Sequence, residues 1–151
     1  MNVINILFGS QSGNAQNLAH VIGEALENCG ISSQVIDMGE IDPESITEMK
    51  FVLVVTSTYG DGEPPDNASE WMSYLKFQDK IDLSHLHYSV LSLGDSYYPH
   101  FCQCGKDFDQ YLSKHGGHLL VSRLDCDLYY EEQYQVWLEA LIKVLKNKLQ
   151  G

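Results

Sequence analysis

Five short segments typical of strands alternate with helical patterns along the chain, and this alternation limits the possible folds more than any other feature of the sequence. The strongest run covers residues 51–55, all of which are apolar. Continuous apolar runs are typical of strands buried on both faces of a parallel sheet, and consecutive parallel strands need crossover helices between them. The predicted strands are Val3 to Phe8, Ser33 to Met38, Phe51 to Val55, Tyr88 to Leu93 and His118 to Leu124.

The segments between these runs carry apolar residues at helical spacing. Strands that alternate with helices predict an α/β doubly wound sandwich, in which a five-stranded parallel sheet has helices on both faces. Both tryptophans lie on helix faces that would pack on the sheet, so we expect them in the core. The predicted helices are one containing Ala15 to Leu26, a brief one starting at Asp42, one with Trp71 that Asp66 or Asn67 caps, one with Phe108 that ends at Gly116, and a last one from Glu131 to Leu149 with Trp137.

The composition is that of an ordinary globular chain, with 44% hydrophobic and 20% charged residues among 151, and it predicts a single domain over residues 1–151. A net charge of −12 argues against nucleic acid and against an anionic membrane as partners. No apolar run reaches membrane-spanning length, so we expect a soluble, cytoplasmic monomer. Four cysteines are too few for a disulfide framework in a chain of this size, which predicts free thiols.

A small, hydroxyl-rich turn joins the first predicted strand to the first helix. The first turn of a helix leaves unpaired N–H groups directed outward, and the helix dipole adds partial positive charge there, so this turn is suited to a phosphate. Because the turn contains no lysine or arginine, hydrogen bonds and dipoles would have to hold that phosphate. The turn consists of Ser10, Gln11, Ser12, Gly13, Asn14 and Ala15.

Two further loops follow the third and fourth predicted strands. Ligands of doubly wound sheets bind beyond the carboxyl ends of the strands, which is where these loops lie. Tyr59 stands among small residues in one loop, and Tyr97 and Tyr98 follow Gly94 in the other. Tyrosines on such loops can stack on a ring, and we expect Tyr59 and Tyr98 to do so rather than Tyr97. The three loops together predict a flat aromatic ligand with a phosphate tail.

These loops resemble the FMN loops of the flavodoxin superfamily, and the likeness covers essentially the whole chain. It is greater to the FMN domains of diflavin reductases than to ordinary flavodoxins, because Ala15 stands where flavodoxins usually place a threonine. The run Gly-Asp-Gly-Glu-Pro-Pro at residues 60–65 resembles the pattern of the sulfite reductase flavoprotein and of cytochrome P450 reductase. The segment 101–108 is also similar to the sulfite reductase flavoprotein. The segments that carry the resemblance are residues 10–15, 56–67 and 93–102.

The resemblance implies the strand order 2-1-3-4-5, FMN as the cofactor, and electron transfer in single-electron steps; flavodoxin is itself an established example of ligand binding at this sheet edge. It places Tyr59 and Tyr98 on opposite faces of the flavin ring, Gly60 beside the flavin N5, and Asp125 near the flavin. The cofactor-binding residues that it implies are Ser10, Gln11, Ser12, Gly13, Asn14, Ala15, Ser57, Thr58, Tyr59, Gly60, Asp61, Leu93, Gly94, Asp95, Ser96, Tyr97, Tyr98, His100, Phe101, Cys102 and Asp125.

The flavin would perform the redox chemistry, so we expect an electron carrier rather than an enzyme with its own substrate. No FAD or NADPH module follows Leu149, which predicts a separate flavin reductase as electron donor and a separate acceptor. Met1 lies close to the first strand, and this favours a free-standing protein over an excised domain. Acidic residues around the flavin would lower its potential and steer a basic-surfaced redox protein as acceptor. They are Asp61, Glu63, Asp66, Asp95, Asp125 and Asp127.

Several other functions compete with this one. A flavin-dependent quinone reductase and a cofactor-free flavodoxin-like interaction module stay open. A nucleoside triphosphatase is disfavoured because the first turn lacks a Gly-Lys-Ser/Thr ending. A nicotinamide-binding domain, for which Asp37 offers a ribose-binding acid, is disfavoured because residues 9–13 lack the Gly-x-Gly-x-x-Gly spacing. His100, Cys102 and Cys104 make a poor tetrahedral metal site, so we expect a structural role for them and no metal.

Overall fold

Strands and helices alternate through the computed structural model, which describes residues 2–10, 13–58, 64–95, 97, 101–127 and 131–150. Two 3₁₀ segments, Met38–Glu40 and Pro43–Glu48, connect the second strand to the third. The strands are β1 (Ile4–Gly9), β2 (Ser33–Asp37), β3 (Phe51–Ser57), β4 (His87–Leu93), β5 (His118–Leu119) and β6 (Leu124–Cys126). The helices are α1 (Asn14–Asn28), α2 (Asp66–Phe77), α3 (Gln103–Lys114) and α4 (Glu131–Gln150).

The sheet is parallel and has the order β2-β1-β3-β4-β5, with β6 also paired to β4. This confirms the predicted doubly wound, flavodoxin-like fold. The three central strands stay in register to their carboxyl ends, where Gly9 lies opposite Thr56 and Thr56 lies opposite Ser92. The loops that follow β1, β3 and β4 therefore start from neighbouring points on one edge of the sheet.

The predicted fifth strand, His118 to Leu124, is wrong in its extent. The structure has two short strands there, because β5 pairs with the start of β4 and β6 pairs with its end. Between them the Ser89 hydroxyl donates to the Val121 carbonyl and accepts from the Val121 N–H, both at 2.9 Å. A side chain thus takes the place of backbone pairing, and the ladder is interrupted.

The helices cover both faces of the sheet. Residues of α1 and α4 share one buried cluster with the sheet, and residues of α2 and α3 share the other. Trp71 and Trp137 are both buried, which confirms their prediction as core residues. Among the described residues, no helix is long and apolar enough to cross a membrane.

The predicted capping of α2 by Asp66 or Asn67 is wrong. The helix begins at Asp66, its N-cap position is Pro65, and no side chain of the described residues caps it. The extended backbone of Pro65 points its carbonyl at the Ala68 N–H, 2.9 Å away, so the proline starts the helix without a side-chain acceptor. The Asn67 side chain bonds to other loops instead.

The start of α3 lies very close to β4, and Gly105 makes this approach possible. A Cβ added at this glycine would overlap the Ser92 side chain. Three cysteines are buried in the same region, namely Cys102, Cys104 and Cys126. Burial raises the pKa of Cys102 to about 11 and the pKa values of Cys104 and Cys126 to about 12 each.

The close approach of α3 to β4 predicts that the substitution Gly105→Ala destabilises the protein. Helix propensity alone would make Gly105→Ala stabilising by up to about 1 kcal/mol, whereas overpacking against Ser92 costs about 1–3 kcal/mol. We expect Gly105→Ala to lower the free energy of unfolding in urea titrations. The control is Gln110→Ala on the exposed side of α3, with an expected change within about 0.5 kcal/mol. A stabilised Gly105→Ala protein would contradict the packing seen here.

Thiol reactivity tests the burial of the cysteines. Cys29 is exposed, whereas the other three thiols are buried and their raised pKa values keep them protonated near neutral pH. We expect iodoacetamide at about pH 8 to add one group rapidly to the folded protein and four after unfolding, as counted by intact mass. Rapid addition of a second group to folded protein would show that the thiols are more accessible than the structure indicates.

Candidate functional site

The turn after β1 is held in place by hydrogen bonds within it and to α2. The Ser10 Oγ accepts a bond from the Gly13 N–H at 3.0 Å, and the Ser10 N–H donates to the Asn67 Oδ1 at 3.0 Å. Gly13 is the N-cap residue of α1 and has a φ of 87°, a left-handed conformation that favours glycine. A Cβ there would meet nothing within 4 Å, so conformation rather than crowding calls for glycine at this position.

The N-terminus of α1 has no side-chain cap among the described residues, and its first turn carries no acidic residue. Asn14 is exposed and Ala15 is buried. The N–H groups at this end of the helix are therefore suited to an anion, as the sequence predicts for this turn.

Asn67, which the sequence predicts as a possible helix cap, instead hydrogen-bonds to two other segments. Its Nδ2 donates to the Asp37 Oδ1 at 3.0 Å while its Oδ1 accepts from Ser10. Asp37, named above as a ribose-binding acid in the disfavoured nicotinamide alternative, also accepts from the Gly39 N–H at 2.8 Å. Asn67 therefore joins the ends of β1 and β2 to the start of α2.

The loops after β3 and β4 are hydrogen-bonded to each other. Ser57 is the last residue of β3, and the next residue, Thr58, donates its N–H to the Leu93 carbonyl at the end of β4, at 3.3 Å. The Thr58 Oγ1 accepts from the Cys104 N–H at 2.9 Å. This threonine thus caps the first turn of α3 from outside the helix, since the N-cap residue Cys102 makes no side-chain cap bond.

The loop after β4 begins with a tight backbone contact. A Cβ on Gly94 would lie 3.0 Å from both the N and the Sγ of Cys102 and 3.2 Å from the Phe101 ring, so a larger residue would push the loop away. The Asp95 carboxylate accepts from the Tyr97 N–H at 3.0 Å, and the Tyr97 side chain is 87% exposed. The loop is therefore compact at its base and exposes an aromatic ring.

Cys102 joins this loop to two strands. Its backbone is left-handed, with a φ of 55°, and its Sγ lies 3.6 Å from the Ser92 carbonyl and 3.7 Å from the Cys126 carbonyl. Phe101, the preceding residue, is half-buried, and the Lys106 Nζ lies 5.8 Å from the centre of its ring. The Gly94 N–H also donates to the Cys126 carbonyl at 2.9 Å. These contacts bring the end of β6 to the edge of the sheet where the loop after β4 begins.

Asp125, which the resemblance places near the flavin, lies in β6. Its carboxylate pairs with Arg123, whose Nε is 2.9 Å from Oδ1. The Nη1 of Arg123 also lies 2.6 Å from the Asp109 Oδ2. Although partial burial opposes its charge, hydrogen bonds and attraction from the two carboxylates raise the pKa of Arg123 above its usual value.

The structure thus brings together the described site residues on all the predicted loops. Ser10, Gly13, Asn14 and Ala15 lie at one turn, and Ser57, Thr58, Leu93 and Gly94 lie where the next two loops meet. Asp95, Tyr97, Phe101, Cys102 and Asp125 lie along the adjoining loop and β6. The remaining predicted residues lie outside the described part of the chain: Gln11, Ser12, Tyr59, Gly60, Asp61, Ser96, Tyr98 and His100.

Solved flavodoxins share this architecture. The Streptococcus pneumonia TIGR4 flavodoxin has a TM-score of 0.85 and 29% identity, and the match covers 97% of this chain and 99% of that one. Flavodoxin 2 from Bacillus cereus has a TM-score of 0.82 and 25% identity, covering 95% of this chain and 99% of that one.

Relatives in sequence are longer than this chain. The sulfite reductase [NADPH] flavoprotein alpha-component of Bacillus subtilis is 44% identical over 144 residues, which are 95% of this chain and 24% of that protein. The corresponding protein of Vibrio cholerae is 39% identical over 148 residues, which are 98% of this chain and 24% of that protein. The chain therefore spans about a quarter of the length of these relatives.

The family model described as Flavodoxin matches residues 6–137, a segment that contains every loop of the site. Membership in this family implies FMN as the cofactor and electron transfer as the function. The chain belongs to the flavodoxin family.

Proposed function

We propose that this protein carries single electrons from a separate flavin reductase to a separate, basic-surfaced acceptor, with FMN bound at the carboxyl edge of the sheet. The observation that carries the proposal is the meeting of three loops there, through the Ser10–Asn67 and Thr58–Leu93 hydrogen bonds. Bound FMN supplies the ability to accept and release electrons one at a time. The residues of the chain bind it, orient it and set the charge around it.

The N-terminus of α1 is the proposed phosphate site. Its N–H groups have no side-chain cap among the described residues, and the left-handed Gly13 turns the chain into the helix. The Ser10 Oγ accepts from the Gly13 N–H, which leaves the hydroxyl proton to be donated to an anion. Hydrogen bonds and the helix dipole would thus hold the phosphate without a paired cation, together with Gln11, Ser12 and Asn14.

The ring of the cofactor is proposed to lie between the loops after β3 and β4. These loops leave the sheet from hydrogen-bonded points, because the Thr58 N–H donates to the Leu93 carbonyl. Tyr59 follows directly after Thr58 in the sequence. Tyr98, the other tyrosine that is proposed to stack on the ring, belongs to the loop after β4. The adjacency of the two loop origins supports the proposal that both tyrosines reach one ring, with Gly60 beside the flavin N5.

The acidic residues do not contribute equally to the proposed field around the flavin. The charge of Asp125 is opposed by Arg123, whose guanidinium it contacts through both carboxylate oxygens. Asp95 instead accepts from an uncharged backbone N–H, and Asp66 is exposed in the first turn of α2. We propose that Asp66 and Asp95 contribute more than Asp125 to lowering the flavin potential and to attracting a basic acceptor.

Two left-handed glycines give a matched test of the phosphate site. Gly13 and Gly30 have φ values of 87° and 77°, and a Cβ would meet nothing within 4 Å at either position. Alanine therefore strains the backbone similarly at both, by about 1–2 kcal/mol. We expect Gly13→Ala to raise the Kd for FMN about tenfold and Gly30→Ala to leave it nearly unchanged. Fluorescence titration of the apoproteins with FMN measures both constants, and equal effects at the two positions would contradict the placement.

Reconstitution tests the role as a carrier. Three components are combined: the FMN-loaded protein, a reductase that oxidises NADPH, and cytochrome c as a basic acceptor. We expect reduction of cytochrome c only when all are present, and a rate that falls as salt screens the acidic surface. Oxidation of NADPH by the protein alone would favour the quinone-reductase alternative. A colourless protein that does not bind added FMN would exclude the proposal.

A further inference from the structure

Asn67 lies in the first turn of α2 and hydrogen-bonds directly to the turn that is proposed to hold the phosphate. Its Oδ1 accepts the Ser10 N–H at 3.0 Å, and the Ser10 Oγ in turn accepts the Gly13 N–H at the N-cap of α1. The conformation of the turn is therefore linked, through two successive bonds, to a side chain at the start of α2.

The orientation of the Asn67 amide is itself determined by its neighbours. A backbone N–H must face the amide oxygen, and the Asp37 carboxylate must face the amide nitrogen, because a carboxylate only accepts. Only one of the two amide orientations satisfies both bonds. The Asp37 carboxylate is held in turn by the Gly39 N–H at 2.8 Å.

Close packing keeps the bridge short. A Cβ on Gly9 would lie 2.7 Å from the Ala68 Cβ, so the end of β1 and the start of α2 are in near contact. A Cβ on Gly39 would lie 3.0 Å from the Asn67 Cβ, so the segment after β2 closes the other side. Asn67, Ser10 and Asp37 are each partly buried, which limits competition from water for these bonds.

We infer that Asn67 is a positioning residue for the phosphate of the cofactor, acting through Ser10 and oriented by Asp37. This rests on the proposed FMN site. In this role Asn67 needs no contact with the cofactor. Removing its amide changes the position of the Ser10 turn, and therefore weakens binding of the phosphate group in particular rather than of the flavin as a whole.

Comparison of FMN with riboflavin, which lacks the phosphate, tests the inference on the full-length apoprotein. We expect Asn67→Ala to raise the Kd for FMN roughly tenfold, as for the loss of one buried hydrogen bond, and to change the Kd for riboflavin by less than about twofold. Ser69→Ala is the matched control on the same helix, since its Oγ donates to the Asp66 carbonyl at an exposed position. It should change neither constant.

Exchange of the Asn67 and Asp37 side chains provides a second, independent test. Asn67→Asp keeps an acceptor for the Ser10 N–H but puts two carboxylates 3.0 Å apart, so we expect FMN binding weaker than in Asn67→Ala. Combining it with Asp37→Asn restores one donor between the two side chains and keeps acceptors for Ser10 and Gly39. The double variant should therefore bind FMN more tightly than Asn67→Asp alone.

The outcomes separate this inference from the proposed function. Equal weakening of FMN and riboflavin by Asn67→Ala, unchanged FMN binding, or no recovery in the double variant would overturn the inference and leave the FMN site standing. A wild-type apoprotein that binds neither flavin would overturn the proposed function and this inference together.

Discussion

The register of the parallel sheet is the constraint on which the rest of the site depends. β1, β3 and β4 are buried along their length and remain paired until Gly9, Thr56 and Ser92 lie side by side. Their loops therefore leave the sheet next to one another, and short hydrogen bonds are enough to join them. A slip of one residue would turn the apolar side chains of a strand to the wrong face, so core packing also protects the geometry of the site.

Two of the helices that begin at this edge, α1 and α3, differ in how their N-termini are satisfied. Both start after a left-handed residue, Gly13 for α1 and Cys102 for α3, and neither has a cap from its own N-cap side chain. The Thr58 hydroxyl caps α3 from the neighbouring loop. Among the described residues no side chain does the same for α1. This difference makes the start of α1, rather than that of α3, the better site for an anion.

The sequence predicts the architecture well because its signals are local and strong. The apolar run at residues 51–55 is part of β3, and the helical spacing around Trp71 and Trp137 correctly predicts which residues are buried. The interruption between β5 and β6 is not visible in the sequence, because it depends on the Ser89 hydroxyl bonding a residue 32 positions away. Apolar periodicity carries no information about such a bond.

Local patterns also misassigned Asn67. Asparagine near the start of a helix usually predicts a cap, but the partner that Asn67 binds, Ser10, is 57 residues away along the chain. The pairing of Asp125 with Arg123 was accessible in principle, because the two residues lie two apart in sequence and carry opposite charges. Tertiary hydrogen bonds, including the one that interrupts the sheet between β5 and β6, are therefore what the sequence leaves undetermined here.

In the proposed complex the N-terminus of α1 holds the cofactor phosphate without a cation. Phosphorus-31 NMR of the FMN complex between about pH 5 and pH 8 tests this placement, because the dianion of a free phosphate monoester takes up a proton at about pH 6. Because N–H and hydroxyl donors favour the dianion, the bound phosphate should stay unprotonated, and its phosphorus resonance should not move over this pH range. A resonance that shifts with pH as in free FMN would show that the phosphate lies in solvent and would contradict the account.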